Sequence, residues 1–191
     1  SNEMLKYIGL TDSLTGVYNR RYIDRRLLEE IARARRQAYP ISFMYIDVDH
    51  FKRVNDTVGH GGGDEVLREV ASRIKAELRQ SDCLARFGGE EFVALLSNAD
   101  LASAVMVAER IRQSIDQAAF EIAHANPIHV SVSIGVATLT ETDRSVTYRY
   151  RIRLMAGTPR YEVAHLPDQL KTLSRQDDPL VHLQLDPDVG A

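Results

Sequence analysis

A pair of glycines between two short apolar runs constrains the fold of this chain more than any other feature. The runs are residues 83–85 and 92–96, and the turn between them reads Arg86-Phe87-Gly88-Gly89-Glu90-Glu91. Two apolar runs around a glycine turn are typical of a β-hairpin, because glycine accepts a positive φ without steric cost. The glutamates at this turn are either solvated side chains or carboxylates placed where a bare backbone admits phosphate and metal.

A second pair of acidic residues follows a strongly apolar stretch. Residues 41–46 are predicted to form a buried strand, and Asp47-Val48-Asp49 comes directly after it. Since side chains alternate along a strand, Asp47 and Asp49 are expected on the same side as Tyr45. Ligands collect beyond the carboxyl ends of strands in open α/β sheets, so this pair is either a polar turn or part of a metal site.

The remaining pattern predicts how helices and strands alternate. Apolar residues at helical spacing predict amphipathic helices over 22–38, 64–78 and 101–115. The glycine cluster at 59–63 is predicted to break one short helix and open the next, where Asp64 is an N-cap, a ligand-binding residue or both. Residues 127–136 alternate as a strand does. This order predicts an α/β (α+β) sandwich in which helices flank a central, mostly antiparallel sheet.

Composition restricts the class of protein and the partners. The chain has 191 residues, a formal net charge of −3 and a hydrophobic content of 44%, as is usual for a soluble globular domain. Long nucleic acid is therefore not an expected partner. No apolar stretch is long enough to span a bilayer, so no membrane contact is expected of these residues. The single cysteine, Cys83, has no partner for an internal disulfide, and a cytoplasmic location is expected.

Six polar and glycine-containing motifs follow each other between Asp12 and about Ala137. They are Asp12-x-Leu14-Thr15-Gly16, Asn19-Arg20-Arg21, Asp47-Val48-Asp49-x-Phe51-Lys52-x-x-Asn55-Asp56, Gly59-His60-x-x-Gly63-Asp64, Gly88-Gly89-Glu90-Glu91-Phe92 and Ser133-Ile134-Gly135-Val136. Together these motifs resemble the GGDEF family of diguanylate cyclases, and their order and spacing make the match highly specific. The resemblance implies the ferredoxin-like, palm-type fold of nucleotidyl cyclases. It also implies condensation of two GTP into cyclic di-GMP with release of two pyrophosphates.

A metal centre is part of what the resemblance implies. The implied cofactor is Mg²⁺, with Mn²⁺ as an alternative, held by Asp47, the carbonyl of Val48 and Glu90. These are hard oxygen ligands of the kind that Mg²⁺ prefers. The implied catalytic residues are Asp47, Glu90 and Glu91. Glu91 is either a further metal contact or the base that activates the 3′-hydroxyl.

The resemblance also implies how GTP is bound. Asn55 and Asp64 are implied to read guanine, because an amide and a carboxylate complement the donors and acceptors on its edge. Phe51 and Lys52 are implied to lie near the phosphates. The other implied substrate-binding residues are His60, Gly88 and Gly89.

A regulatory site and a dimer are implied as well. Arg79 and Asp82 match the inhibitory RxxD motif of the family, which binds the product cyclic di-GMP, although such a pair also occurs at ordinary helix ends and turns. Arg110 falls where the family places a second arginine that reaches product across a dimer. Because the product has two equivalent phosphodiester bonds, catalysis is expected to need a twofold homodimer.

Beyond Ala137 the chain departs from the family pattern. The family continues with a helix whose Lys, and an Arg four residues later, grip the β- and γ-phosphates, and that pattern is missing here. Residues 145–154 alternate as a strand does instead. Two sets of basic residues could replace the missing phosphate-binding Lys and Arg. We favour the simpler interpretation, in which these residues form a solvated basic face and an unrelated tail. The sets are Lys171 with Arg175, on a short helix over 168–176, and Arg149 with Arg151 and Arg153.

These observations divide the chain into three parts. Residues 1–10 are expected to be a linker or the end of an upstream signalling helix, and 11–140 the GGDEF diguanylate cyclase domain. Residues 141–191 are expected to be a divergent tail, partly strand-like or disordered. A longer protein is expected, with membrane attachment through further N-terminal regions as one arrangement.

Two functions fit these residues. The first is a diguanylate cyclase with product inhibition, which the acidic and guanine-reading residues favour. The second is a catalytically weak or inactive regulatory module that binds GTP or cyclic di-GMP, which the missing phosphate-gripping helix favours. A purely structural dimerisation domain ranks last, since it gives no reason to keep these polar residues together.

Overall fold

The computed structural model describes residues 9–139 with their side chains and, beyond them, the backbone of three further strands. Within these ranges, helices and strands follow each other much as the sequence predicts. The helices are α1 (Arg20–Gln37), α2 (Phe51–Glu77) and α3 (Leu101–Asp116). The strands are β1 (Tyr18–Asn19), β2 (Ile41–Val48), β3 (Cys83–Arg86), β4 (Glu91–Ser97), β5 (Val132–Leu139), β6 (Ser145–Met155), β7 (Thr158–Glu162) and β8 (His182–Gln184).

The sheet carries a hydrophobic core on each face. β2 contributes to both cores because its side chains alternate. Met44 and Ile46 pack in the core beneath α2 and α3, whereas Phe43 packs in the core beneath α1. Tyr45 and Asp47 follow the alternation of Phe43, so they lie on the α1 side of the sheet.

Antiparallel pairs predominate in this sheet. The strand order is β1-β3-β4-β2-β5-β6-β7, and β8 lies beside β6. β2 pairs antiparallel with both β4 and β5, whereas β1 with β3 and β6 with β8 are parallel. Together with helices on both faces, this confirms the predicted α/β (α+β) class and its mostly antiparallel central sheet.

The break predicted from the glycine cluster lies inside α2. Gly59 has φ 76° and ψ 170°, and the helix resumes immediately after it. Asp64 therefore lies within the helix, and the interpretation of Asp64 as an N-cap is wrong. Gly62 and Gly63 are buried, so tertiary packing keeps these residues helical despite the low helix propensity of glycine.

β5 begins later than the alternation of residues 127–136 predicts. Its first residue, Val132, lies opposite Val48, which is the last residue of β2. Residues before Val132 therefore have no β2 partner with which to continue the ladder. Ile128 instead forms an isolated bridge with Phe120.

The tail contains one predicted element that the structure describes. The strand predicted over residues 145–154 is confirmed by β6. The predicted helix over 168–176, with Lys171 and Arg175, lies outside the described residues, as do the side chains of Arg149, Arg151 and Arg153. Among the described helices, none combines the length and the apolar character needed to cross a membrane.

Candidate active site

The predicted catalytic residues meet where β2 ends beside the start of β4. The register of these antiparallel strands places Glu91 opposite Asp47. Directly opposite residues share one face of the sheet, with Cβ atoms about 5 Å apart. The ladder extends into the turn, since the Val48 N–H donates to the Glu90 carbonyl at 3.1 Å and the Phe87 N–H to the Glu91 carbonyl at 2.8 Å. The fold thus collects the implied metal-binding and catalytic residues at one end of the sheet.

An arginine clamp holds the tip of this hairpin. The Arg86 guanidinium donates to the Gly89 carbonyl twice, at 2.8 and 3.1 Å. It also pairs with Asp12 at 3.2 Å, which ties the tip to the loop before α1. This clamp could not be predicted from the sequence, because Asp12 and Arg86 are 74 residues apart and meet only in the fold.

Asp12 is prepared for that ion pair by its own loop. The backbone N–H and the hydroxyl of Thr15 donate to its carboxylate at 2.8 and 2.7 Å. Burial opposes ionisation, but the Thr15 hydrogen bonds and the charge of Arg86 outweigh it, so the pKa of Asp12 lies below its usual value. The Asp12-x-Leu14-Thr15 stretch therefore supports the hairpin tip.

Glu91 has a neighbour that sequence reasoning did not identify as functional. The Tyr45 hydroxyl donates a hydrogen bond to one oxygen of the Glu91 carboxylate. The other oxygen lies over Gly88, where a Cβ atom would collide with it. Gly88 is therefore needed for this close approach. Its place in the sequence could have indicated this role, because Tyr45 stands two residues before Asp47 and therefore lies on the same side of β2.

Asp49 directly follows β2 and supports the turn into α2. Its carboxylate accepts hydrogen bonds from the hydroxyls of Ser131 at 2.8 Å and Ser133 at 2.5 Å. Its backbone N–H donates to the Ser131 carbonyl at 2.9 Å. Ser133 lies opposite Asp47 in the β2–β5 register. Asp49 therefore fixes the chain where β2 leads into α2.

α2 begins directly after this turn without a side-chain cap. His50, the residue before it, has a left-handed conformation with φ 53° and makes no capping hydrogen bond. The first N–H groups of a helix lack intrahelical acceptors and carry partial positive charge. Lys52, in the first turn, is exposed. The start of α2 thus offers backbone donors and a cation beside the carboxylates at the end of β2.

The implied guanine-reading residues come together across the break in α2. Asn55 is half-buried, and its side-chain oxygen lies where a Cβ atom of Gly63 would stand. The ring of Phe51 packs at the same place, with Cζ 3.3 Å from that Cβ position. Asp64 follows Gly63 directly and is exposed, as is His60. The glycine at 63 therefore lets the Asn55 amide pack against the helix at the residue before Asp64.

Oxygen donors at the end of the sheet can be compared with what a metal ion requires. Among the described residues, no group of three or more His, Cys, Asp or Glu side chains is arranged to hold a metal ion. The site instead offers hard oxygen donors in the carboxylates of Asp47 and Glu90 and the carbonyl of Val48. Mg²⁺ is commonly bound through one or two carboxylates together with substrate phosphates. The donor set therefore fits Mg²⁺ that binds with a phosphate-bearing ligand.

The implied inhibitory pair lies just beyond the last turn of α2. The Arg79 guanidinium contacts Asp82 at 3.3 Å and donates to the Ser97 carbonyl at 2.8 Å. The Arg79 side chain is 58% exposed, whereas the Asp82 side chain is 2% exposed. A cavity of about 280 Å³ is bordered by this pair, by Thr11 and by Tyr18 at the start of β1.

Arg110 of α3 reaches the same end of α2. Its guanidinium pairs with Glu77, the last residue of α2, at 3.2 Å. Arg79 donates to the carbonyl of Ser97, which lies at the opposite end of β4 from Glu91, roughly 20 Å away at about 3.3 Å per residue. The structure therefore brings Arg79 and Arg110 to one end of α2, well away from the carboxylates at the hairpin.

Sequence comparison identifies relatives of known family. The family model described as "Diguanylate cyclase, GGDEF domain" matches residues 9–151. Response regulator PleD of Caulobacter vibrioides is 45% identical over 117 residues, which cover 61% of this chain and 26% of PleD. Diguanylate cyclase DgcP of Pseudomonas aeruginosa is 45% identical over 111 residues, which cover 58% of this chain and 16% of DgcP. The chain thus spans about a quarter or less of the length of these relatives.

Solved structures show the same fold. The GGDEF domain of YfiN (TpbB) from Pseudomonas aeruginosa matches with a TM-score of 0.65 and 38% identity over 67% of this chain and 74% of that one. The coiled coil and GGDEF domain of DgcB from Caulobacter crescentus, solved in complex with c-di-GMP, matches with a TM-score of 0.70 and 30% identity. That match covers 73% of this chain and 74% of the DgcB chain.

Proposed function

Because this chain belongs to the GGDEF family of diguanylate cyclases, we propose that it condenses two molecules of GTP into cyclic di-GMP and two pyrophosphates. The observation that carries the proposal is the meeting of Asp47 and Glu91 in the β2–β4 register beside Glu90. The glycine turn brings carboxylates that can bind a metal ion next to the uncapped start of α2. The backbone N–H groups at that helix start can donate hydrogen bonds to phosphate.

Asp47, the Val48 carbonyl and Glu90 are proposed to hold the divalent metal, Mg²⁺ or Mn²⁺. The metal, when bound, supplies Lewis-acid polarisation of the α-phosphate and neutralises charge on the leaving pyrophosphate. The hydrogen bond from the Val48 N–H to the Glu90 carbonyl, at 3.1 Å, fixes the backbone that carries two of these three ligands. Asp49 supports them through its bonds to Ser131 and Ser133.

The triphosphate is proposed to lie between the glycine turn and the start of α2. Backbone N–H groups at an uncapped helix N-terminus bind phosphate oxygens readily. Lys52 adds a positive charge there. The bare backbone of Gly89, where a Cβ atom would meet nothing within 4 Å, leaves room for the phosphates to approach. The Arg86 clamp on the Gly89 carbonyl keeps that backbone in place.

Asn55 and Asp64 are proposed to select guanine. The Asp64 carboxylate would accept hydrogen bonds from the N1–H and the 2-amino group of guanine, an adjacent pair of donors that adenine lacks. The Asn55 amide would bond the remaining polar atoms of the base edge. Supporting this assignment, the Asn55 side chain lies against Gly63, next to Asp64.

Catalysis is proposed to require two copies of the chain. In each copy the 3′-hydroxyl oxygen attacks the α-phosphorus of the GTP held by the other copy. The new phosphodiester bond forms as the bond to pyrophosphate breaks. Glu91 is proposed to take the proton of the attacking hydroxyl. One site holds one GTP, so the twofold arrangement supplies both reacting partners at high effective concentration.

The product is proposed to inhibit the enzyme at Arg79, Asp82 and Arg110. An arginine can stack on a guanine face and bond its edge or a phosphate bidentately. The exposed Arg79 guanidinium is already held in position by the nearly buried Asp82. We also propose a cytoplasmic location, where GTP is available.

A second candidate is a regulatory module that binds GTP or cyclic di-GMP without turning it over. It is favoured by one observation, the absence of the family's phosphate-gripping helix pattern after Ala137. Incubation with GTP and Mg²⁺, followed by chromatography for cyclic di-GMP, separates the two candidates. The cyclase proposal expects product from the protein and little from a Glu90→Gln variant. Bound GTP with no product at high protein concentration would favour the module instead.

A further inference from the structure

The Glu91 carboxylate has close neighbours on two sides. The Tyr45 hydroxyl donates to one of its oxygens. The second oxygen rests over Gly88, in the space that a Cβ atom would otherwise fill. Glu91 lies opposite Asp47 in the register, and Tyr45 stands two residues earlier on the same face of β2. Tyr45 and Gly88 together therefore define where this carboxylate lies relative to Asp47.

Neighbouring side chains fix the tyrosine in turn. Its ring packs edge-on against Phe87, with centroids 6.3 Å apart and planes at 78°. The Arg20 guanidinium lies over the other ring of this pair, 4.4 Å from the Phe87 centroid. In β5 the residue opposite Tyr45 is Gly135, which has no side chain to compete for this space. These neighbours hold the Tyr45 ring in place, and its hydroxyl therefore stays directed at Glu91.

We propose that Tyr45 is a positioning residue for Glu91 in the cyclase reaction. The inference rests on the proposed function, in which Glu91 takes the proton of the 3′-hydroxyl. Tyr45 does not touch the reacting atoms. Its hydroxyl holds the carboxylate over the glycine turn, so that Glu91 does not have to be ordered when the second GTP arrives.

A positioning role for Tyr45 should affect kcat and leave the binding of GTP unchanged. The residues proposed to bind GTP lie on α2 and on the turn backbone. Tyr45 packs with the core beneath α1, whereas α2 covers the core on the other face of the sheet. Removing one oxygen atom from Tyr45 should therefore leave GTP affinity unchanged. Loss of a hydrogen-bonding partner behind a metal ligand typically costs roughly 10- to 100-fold in metal affinity or activity, and we take the same range for Tyr45 behind Glu91. We expect kcat to fall by that factor while KM for GTP stays within about twofold.

The test compares Tyr45→Phe with the unaltered protein, with Tyr22→Phe as the matched control. Tyr22 lies on α1, and its ring stacks on Tyr18 at 3.7 Å, away from Glu91. Cyclic di-GMP formation gives kcat and KM, and crystal structures of the protein and of Tyr45→Phe show the Glu91 carboxylate directly. The inference expects a loss of kcat in Tyr45→Phe alone and a Glu91 carboxylate that has left its place over Gly88.

The outcomes distinguish this inference from the proposed function. Normal kcat in Tyr45→Phe, or a rise in KM without loss of kcat, would overturn the positioning role while the cyclase function stands. No product from the unaltered protein would instead overturn the cyclase proposal. In that case the crystal structures still show whether the Tyr45 hydroxyl positions the Glu91 carboxylate. If that carboxylate has not moved in Tyr45→Phe, the hydroxyl does not hold it.

Discussion

Substitution of Gly63 by alanine should separate recognition of GTP from stability of the fold. A Cβ atom at this position would stand where the Asn55 side-chain oxygen lies, and it would approach the Phe51 ring at 3.3 Å. The Asn55 side chain can rotate away from the new methyl group, so the substitution should cost little of the free energy of unfolding. Alanine also gains about 1 kcal/mol over glycine in a helix. We therefore expect the free energy of unfolding to stay the same or to rise by up to about 1 kcal/mol.

Binding of GTP should respond in the opposite direction. Displacing the Asn55 amide removes its hydrogen bonds to guanine and leaves polar atoms of the base unpaired, at a cost of about 1–3 kcal/mol. That cost corresponds to a roughly 5- to 150-fold weaker affinity. Affinity is best measured by calorimetry with a GTP analogue whose α,β-bridging oxygen is a methylene group, because condensation then cannot consume the ligand.

Gly61→Ala is the matched control for this experiment. Gly61 lies in the same helix, two residues from Gly63, and a Cβ atom there would meet nothing within 4 Å. It should show the gain in stability and normal GTP affinity. If Gly63→Ala binds the analogue as tightly as Gly61→Ala, the placement of Asn55 does not serve guanine recognition and the reasoning is refuted.

Two further predictions follow from charged groups. Arg79→Ala should weaken binding of cyclic di-GMP by roughly 10- to 150-fold in calorimetry, since charge-assisted hydrogen bonds contribute about 1.5–3 kcal/mol; unchanged affinity would place the product site elsewhere. Asp12→Asn should lower the free energy of unfolding at pH 7 by about 1 kcal/mol, allowing for solvent screening of a partly exposed pair. Because the pKa of Asp12 is depressed in the fold, its contribution is complete above the unfolded pKa of about 3.9 and disappears as the pH falls through the lower folded value. Urea unfolding from pH 7 to pH 3 should therefore show the two proteins converging in acid, and a constant difference would contradict the ion-pair account.

Periodicity predicted the elements well where each has its own apolar face. α1 and α3 were expected over 22–38 and 101–115 and are found at Arg20–Gln37 and Leu101–Asp116. The break at Gly59 was also foreseen from the glycine cluster. The N-cap interpretation of Asp64 failed because residues 60–63 continue the helix through tertiary packing, which local propensity does not report.

Contacts between distant parts of the chain were harder to foresee. Tyr45 and Glu91 are 46 residues apart, and their contact depends on a strand register that the sequence leaves open. The Arg86 clamp depends in the same way on how the loop at Asp12 folds back over the hairpin. The spacing of the motifs was enough to predict Asp47 as a site residue. The strand register was needed to show that Glu91, and not Glu90, lies opposite it.

The central claim is that two copies of this domain turn GTP into cyclic di-GMP at the hairpin site, and the ratio of products tests it most directly. Initial rates of pyrophosphate and cyclic di-GMP formation should be measured together over a range of protein concentrations with Mg²⁺. The account predicts two pyrophosphates for each cyclic di-GMP and a specific rate that rises with protein concentration as dimers form. Stoichiometric binding of GTP with neither product, at every concentration, would contradict it.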